Sequence, residues 1–191
     1  MSLYKNKYRI ESARKKNWDY TSPAYYFITI CTRDRKHYFG EIKNGIMELN
    51  PVGKIIHDEW YKTQSMRPNI YLDEFIIMPN HIHGIIQIDY KHHRRDALHH
   101  RRDALQCVST MMHYSYVYIQ NISHIVRGFK SSCTNRIHTE IGCEFEWQSR
   151  FYDRVIRTEP ELHNTRKYIK NNPKKWQSVY DSRDRKQEKI Q

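Results

Sequence analysis

His81 and His83 stand two residues apart in HIHGIIQI, a run whose β-branched and apolar composition predicts a strand. Residues two apart in a strand point the same way, so both imidazoles leave one face while Ile82 enters the opposite layer. Two neutral imidazoles make half of a site for a divalent ion. The spacing also arises without function in a chain with 12 histidines, most of which are expected to be surface or structural residues. Two neighbours favour the functional reading. Pro79 and Asn80 form a tight turn immediately before the pair, and Gly84 follows it, where glycine in a strand often marks close approach of a ligand or of backbone. His92, His93, His99 and His100 offer a second cluster. They lie in a segment, HHRRDAL, that is repeated without change at 92–98 and 99–105, so duplication accounts for their number without ligation.

The elements that must hold the pair follow from hydrophobic pattern. YYFITICT (Tyr25 to Thr32) is apolar or β-branched almost throughout, which predicts a central strand covered on both sides. Asn50 and Pro51 supply an N-cap and a first-turn proline, and Val52, Ile55, Ile56 and Trp60 recur at helical spacing to about Ser65. Tyr71 to Met78 and His81 to Ile88 are strand-like runs separated by two residues, an antiparallel hairpin. Ile119, Ile122, Val126, Phe129, Cys133 and Ile137 mark one face of a long helix. Phe145 to Ile156 reads as one more strand. Thr158 and Glu161 form a capping box around Pro160, opening a helix that buries Leu162, Thr165 and Ile169 and stops near Pro173.

This alternation predicts an α+β fold, an antiparallel sheet with helices on one or both faces. A length of 191 residues suits one domain, spanning about 1–180, with a charged tail at 181–191 that frays from about Ser178. Within the domain, Lys91 to His113 read as a mobile basic insertion, since two heptads cannot sustain a coiled coil.

Lysine and arginine outnumber aspartate and glutamate 33 to 21, a net charge of +12, which favours polyanionic partners. Aromatic residues reach 13%, with tyrosine the commonest, and rings interleaved with basic side chains suit unpaired bases. Candidates for such a surface are Arg9, Arg14, Lys15, Lys16, Arg127, Lys130, Arg150 and Arg157. Met1 to Asn17 is polar and basic without an apolar stretch, which predicts a cytoplasmic protein with no secretory signal or membrane anchor. Cys31, Cys107, Cys133 and Cys143 are widely spaced, without a C-x-x-C pair, and read as buried, reduced thiols.

Seven segments carry a family resemblance: WDYTSPA at Trp18, YFITICT at Tyr26, LNPVG at Leu49, MPNHIHGII at Met78, GFKS at Gly128, WQSRFYDRVIR at Trp147 and YIKNNP at Tyr168. Together they resemble the REP-associated tyrosine transposases, single-tyrosine members of the HUH endonuclease superfamily, over Trp18 to Pro173 except the insertion. The resemblance implies a ferredoxin-like sheet, with His81 and His83 as ligands of Mg²⁺ or Mn²⁺. It further implies Tyr168 as the nucleophile and Asn172, four residues on, as a third, amide ligand. Positions four apart share a helix face, so one helix would deliver both. Asn172 precedes a proline and also fits an ordinary helix C-cap. Tyr152, flanked by Arg150, Arg154 and Arg157, is the rival nucleophile, although on a strand in basic surroundings such a ring more often packs or stacks. Arg154 departs from the pattern, which commonly has histidine there.

The chemistry implied is attack by tyrosine on a phosphodiester of single-stranded or hairpin DNA, leaving a 5′-phosphotyrosine link and a free 3′-hydroxyl for later rejoining. Monomers and homodimers both occur among such proteins. Two other readings belong beside this one. A non-catalytic single-strand-binding module on the same sheet would ignore chelators, and a replication-initiator nuclease would need a helicase domain and a phosphate-binding loop, for which this chain has no room.

Overall fold

The computed structural model describes residues 17–89 and 121–187. The duplicated heptad, the whole of the expected insertion, Cys107, Ile119 and the basic residues Arg9, Arg14, Lys15 and Lys16 lie outside the described residues.

The described chain runs β1 (Ala24–Cys31), β2 (Gly40–Lys43), β3 (Ile46–Leu49), α1 (Pro51–Ser65), β4 (Ile70–Met78), β5 (His81–Ile88), α2 (Ile122–Arg136), β6 (Tyr152–Ile156) and α3 (Glu159–Gln187). Four strands form one sheet in the order β4-β5-β1-β6, every pair antiparallel. With α1 between β1 and β4, and α2 between β5 and β6, this is the ferredoxin-like arrangement, an α+β fold. The β2–β3 hairpin stands apart as a two-stranded sheet.

The period-2 pattern of β1 sorts its residues between two layers. Tyr26, Ile28 and Ile30 are fully buried and pack with Val52, Ile56 and Trp60 of α1 and Val126, Phe129 and Cys133 of α2 in the main core. On the other face a smaller core joins Ile85 and Ile156 to Leu162 and Ile169 of α3. The sheet is therefore sandwiched, α1 and α2 on one side and α3 on the other. Caps start the helices as their residues dictate: the Asn50 side chain accepts from Gly53 N–H at 2.9 Å, and Asn121 from His124 N–H at 3.1 Å. Arg136 joins α2 to the nearly buried Glu59 of α1 at 2.9 Å.

Three expectations need correction. The strand expected from Phe145 is confined to Tyr152–Ile156, because Phe145 is buried against Tyr38, Phe39 and Trp147, and the chain touches the sheet edge only at a Thr32–Trp147 bridge. The last helix does not stop near Pro173 but continues to Gln187, past the point where fraying is expected. An interior proline removes a backbone donor and costs about 3 kcal/mol. Packing on both sides of the proline offsets this: Ile169 is fully buried before it, while Lys174 lies against Gly45 and the Trp176 ring against His37 and His81 after it. Gly84 answers to packing, not to a ligand. A Cβ there would come within 2.4 Å of the Trp60 ring, which stacks on Phe75 at 4.4 Å in the layer away from the histidines. Among the described cysteines, Cys31 and Cys133 are buried free thiols and Cys143 is half-buried.

Candidate active site

The register of the sheet builds the site. His83 pairs with Ile76 of β4 and Thr29 of β1, and Thr29 pairs in turn with Tyr152 of β6. His81 pairs with Met78 and Cys31. Directly paired residues share a face, so both histidines open toward α3. They are 6% and 5% exposed, and their Nε2 atoms lie 3.1 Å apart. The Nδ1 atoms are engaged elsewhere, His81 with Asn80 Oδ1 at 2.7 Å and His83 with Thr29 Oγ1 at 2.8 Å. Phe27 stacks on the His83 ring at 5.4 Å.

Burial is the main cause that pushes His81 down to about 3 and His83 down to about 4, with Arg35 adding to both and the partner histidine and His37 adding to His81. At neutral pH both rings are uncharged and keep a lone pair for a ligand.

α3 crosses above the pair. The Tyr168 hydroxyl lies 3.3 Å from His83 Nε2, with the ring edge-on to His83 at 5.2 Å and to Phe27 at 6.0 Å. Lys175 places its ammonium 5.7 Å from the Tyr168 ring centre. One turn on, Asn172 is 8% exposed and its amide nitrogen has no hydrogen-bond partner. A further turn on, the Trp176 ring lies 5.6 Å from that of His81. Tyr168, Asn172 and Trp176 are spaced by four along the helix. With the outer two against His83 and His81, the amide of Asn172 falls on the same stripe between them. Because the helix continues through Pro173, Asn172 is an interior residue and not a C-cap.

Among the described residues, no three His, Cys, Asp or Glu side chains gather as a metal cluster. The residues that could hold an ion are the two imidazoles, with the Asn172 amide one helical turn beyond Tyr168. The separation of the two Nε2 atoms suits it, since nitrogens about 2.1 Å from one ion and at a right angle lie ~3.0 Å apart. An amide oxygen suits hard ions such as Mn²⁺ and Mg²⁺, and imidazole nitrogen is the better ligand for the first-row Mn²⁺ of the two.

The rival Tyr152 shares the histidine face but is 52% exposed on the edge strand, on the far side of Thr29 from His83. Arg154 spans Phe27, at 5.8 Å, and Thr165 Oγ1, at 3.1 Å, and helps line a hollow of about 450 Å³ beside Tyr168. Of the basic residues expected on a nucleic-acid surface, Arg127, Arg150 and Arg157 are exposed. Lys130 is not freely available: it donates to the Gln148 carbonyl at 2.6 Å and is half-buried. Arg127 and Lys130 line a cleft of about 1270 Å³ with Arg33, Arg35, Trp147 and Phe151.

Sequence reasoning missed Arg35, Asn80 and Thr29 as site residues. Arg35 is close enough for its charge to depress both histidines, and it sits in a turn where Asp34 and Arg35 both take positive φ, 53° and 57°. A pair of non-glycine left-handed residues has no sequence signature, whereas Asn80 adjoins the motif but its local signal is that of a turn former.

No family model matches the chain. It is 37% identical over 169 residues to an uncharacterized protein of Haemophilus influenzae, covering 87% of this chain and 89% of that one. Among solved structures it is similar to a REP-associated tyrosine transposase bound to a REP hairpin, with a TM-score of 0.54 and 18% identity over 85% of this chain and 73% of that one. That likeness is one of fold. Among the described residues, no helix is long and apolar enough to cross a membrane.

Proposed function

The chain belongs to one family with the Haemophilus influenzae protein, and we propose that it is a metal-dependent single-strand DNA endonuclease and strand transferase, a transposase with Tyr168 as nucleophile. The observation that carries this reading is the 3.3 Å approach of the Tyr168 hydroxyl to His83 Nε2, on a helix that one turn further on carries Asn172, buried and with its amide nitrogen unpaired.

His81, His83 and the Asn172 amide would hold a divalent ion, Mn²⁺ or Mg²⁺. Ligation would be through the Asn172 amide oxygen, which a half-turn about the last side-chain bond exchanges with the nitrogen. Bound there, such an ion supplies positive charge to the scissile phosphate as negative charge builds in the transition state. All three ligands are neutral, so they leave that charge undiminished.

The chain's own residues do the rest. Thr29 and Phe27 hold the His83 ring, and Phe27 and Lys175 flank the Tyr168 ring. The Tyr168 oxygen forms a bond to phosphorus as the bond from phosphorus to the 3′-oxygen breaks. The phenol proton is released, and the departing 3′-oxygen takes one up. The 5′-phosphotyrosine link conserves the phosphodiester, and attack by another 3′-hydroxyl reverses the step to join strands. Single-stranded or hairpin DNA suits the aromatic, basic cleft beside Arg35, and the relative of like fold was solved with a REP hairpin. A cytoplasmic location accompanies such a substrate.

Incubating the protein with Mn²⁺ and oligonucleotides carrying repeat hairpins tests the reading. A denaturation-resistant protein–DNA adduct is expected for the wild type and for Tyr152→Phe, and none with chelator or with Tyr168→Phe. An adduct formed by Tyr168→Phe overturns the assignment.

A further inference from the structure

Asn80 sits in the turn between β4 and β5, is 5% exposed, and is bonded on every side. Its backbone carbonyl accepts from Thr32 N–H and from Thr32 Oγ1, each at 3.0 Å. Its Nδ2 donates to the Arg35 carbonyl at 3.0 Å, and its Oδ1 lies 2.7 Å from His81 Nδ1.

These partners leave one consistent assignment of protons. A backbone carbonyl only accepts, so the amide end facing Arg35 must be the NH₂ group. The end facing His81 is then the carbonyl oxygen, which also only accepts. His81 Nδ1 must therefore carry the proton, and in a neutral ring Nε2 is left with a bare lone pair. That lone pair points toward His83 Nε2. The same amide that sets the imidazole closes the 33–36 turn, whose left-handed Asp34 and Arg35 are costly for non-glycine residues and persist only where surrounding bonds hold them.

We propose that Asn80 is a positioning residue of the site, its amide fixing His81 as the tautomer that presents a bare Nε2 while anchoring the turn that carries Arg35. Its bearing on ion binding rests on the nuclease reading above; the tautomer does not. Orientation of a ligand histidine through its other nitrogen is a general device of metal sites, and its loss typically costs 10–100-fold in affinity.

The test is long-range ¹H–¹⁵N NMR of the histidine rings in the full chain, in chelator and without DNA, with His81 assigned by the signal lost in His81→Ala. The wild type is expected to show His81 protonated on Nδ1 and bare on Nε2. Asn80→Ala is expected to mix the tautomers and to weaken Mn²⁺ binding by ~10–100-fold in calorimetry. Asn80→Asp keeps an acceptor toward His81 but cannot donate to Arg35, so the tautomer should persist while amide exchange in the 33–36 turn speeds up. A wild-type His81 protonated on Nε2 overturns the proposal, as does a folded Asn80→Ala with unchanged tautomer and Mn²⁺ affinity. If Asn80→Ala does not fold, the wild-type and Asn80→Asp spectra decide. Because the spectra need neither ion nor DNA, the proposal can fail while Tyr168→Phe still abolishes the adduct, and stand if it does not.

Discussion

The hydroxyl of Tyr168 lies 3.3 Å from Nε2 of His83, although the two residues are 85 apart in the chain and belong to different layers. The contact exists because β5 turns its odd-numbered residues toward α3 and because α3 is held against the sheet by Leu162 and Ile169. Anything that shifts α3 relative to β5 should therefore alter chemistry before it alters the main core.

Asp73 of β4 and Arg166 of α3 provide such a hold, with Nε to Oδ1 at 2.8 Å and Nη2 to Oδ2 at 2.5 Å. The hydrogen bond from Arg166 is the main cause that holds the Asp73 carboxyl below its ordinary value. A depressed carboxylate contributes stability above its unfolded pKa, ~3.9, and loses it as pH falls through the lower folded value. Asp73→Asn should thus lower stability at pH 7 by about 1 kcal/mol or less, since the pair is partly exposed. The difference from wild type should shrink below pH ~4 in acid-unfolding curves. Adduct yield at saturating DNA should fall more than stability does.

Gly84→Ala should destabilise the fold by about 1–3 kcal/mol in denaturant unfolding, because its Cβ would drive into the Trp60 ring. The damage falls on the layer opposite the histidines. At temperatures where the variant is folded, Mn²⁺ affinity should be close to that of wild type.

Arg35→Ala should weaken binding of single-stranded DNA and reduce by about one the magnitude of the slope of log affinity against log salt, the signature of one lost phosphate contact. Filter binding over a range of salt concentrations measures this. An unchanged slope would remove Arg35 from the substrate path.

His81→Ala and His83→Ala should each abolish measurable Mn²⁺ binding while leaving the secondary structure intact, since the rings occupy the α3 face and not the main core. Mn²⁺ should bind the wild type more tightly than Mg²⁺. Titration calorimetry distinguishes the outcomes.

How far the sequence revealed this arrangement depended on whether a residue's role was local. The covered strand β1, the capped helix α1 and the β4–β5 hairpin were all legible, because period, cap and turn residues are properties of short segments. The shared face of His81 and His83 was legible for the same reason. The path of α3 beyond Pro173 was not, since it depends on Trp176 meeting His81 and His37, contacts between distant residues. The β2–β3 hairpin went unread because each strand is only four residues long. Gly84 shows the opposite error: its local signal was real, but its cause was the Trp60 ring in the other layer.

The nucleophile assignment is tested most directly by locating the covalent link. Adduct formed with Mn²⁺ and a hairpin oligonucleotide should be digested with nuclease and protease and the modified peptide sequenced by mass spectrometry. A nucleotide joined through its 5′-phosphate to Tyr168 is the predicted result. A nucleotide on Tyr152, or on any residue outside α3, would contradict it.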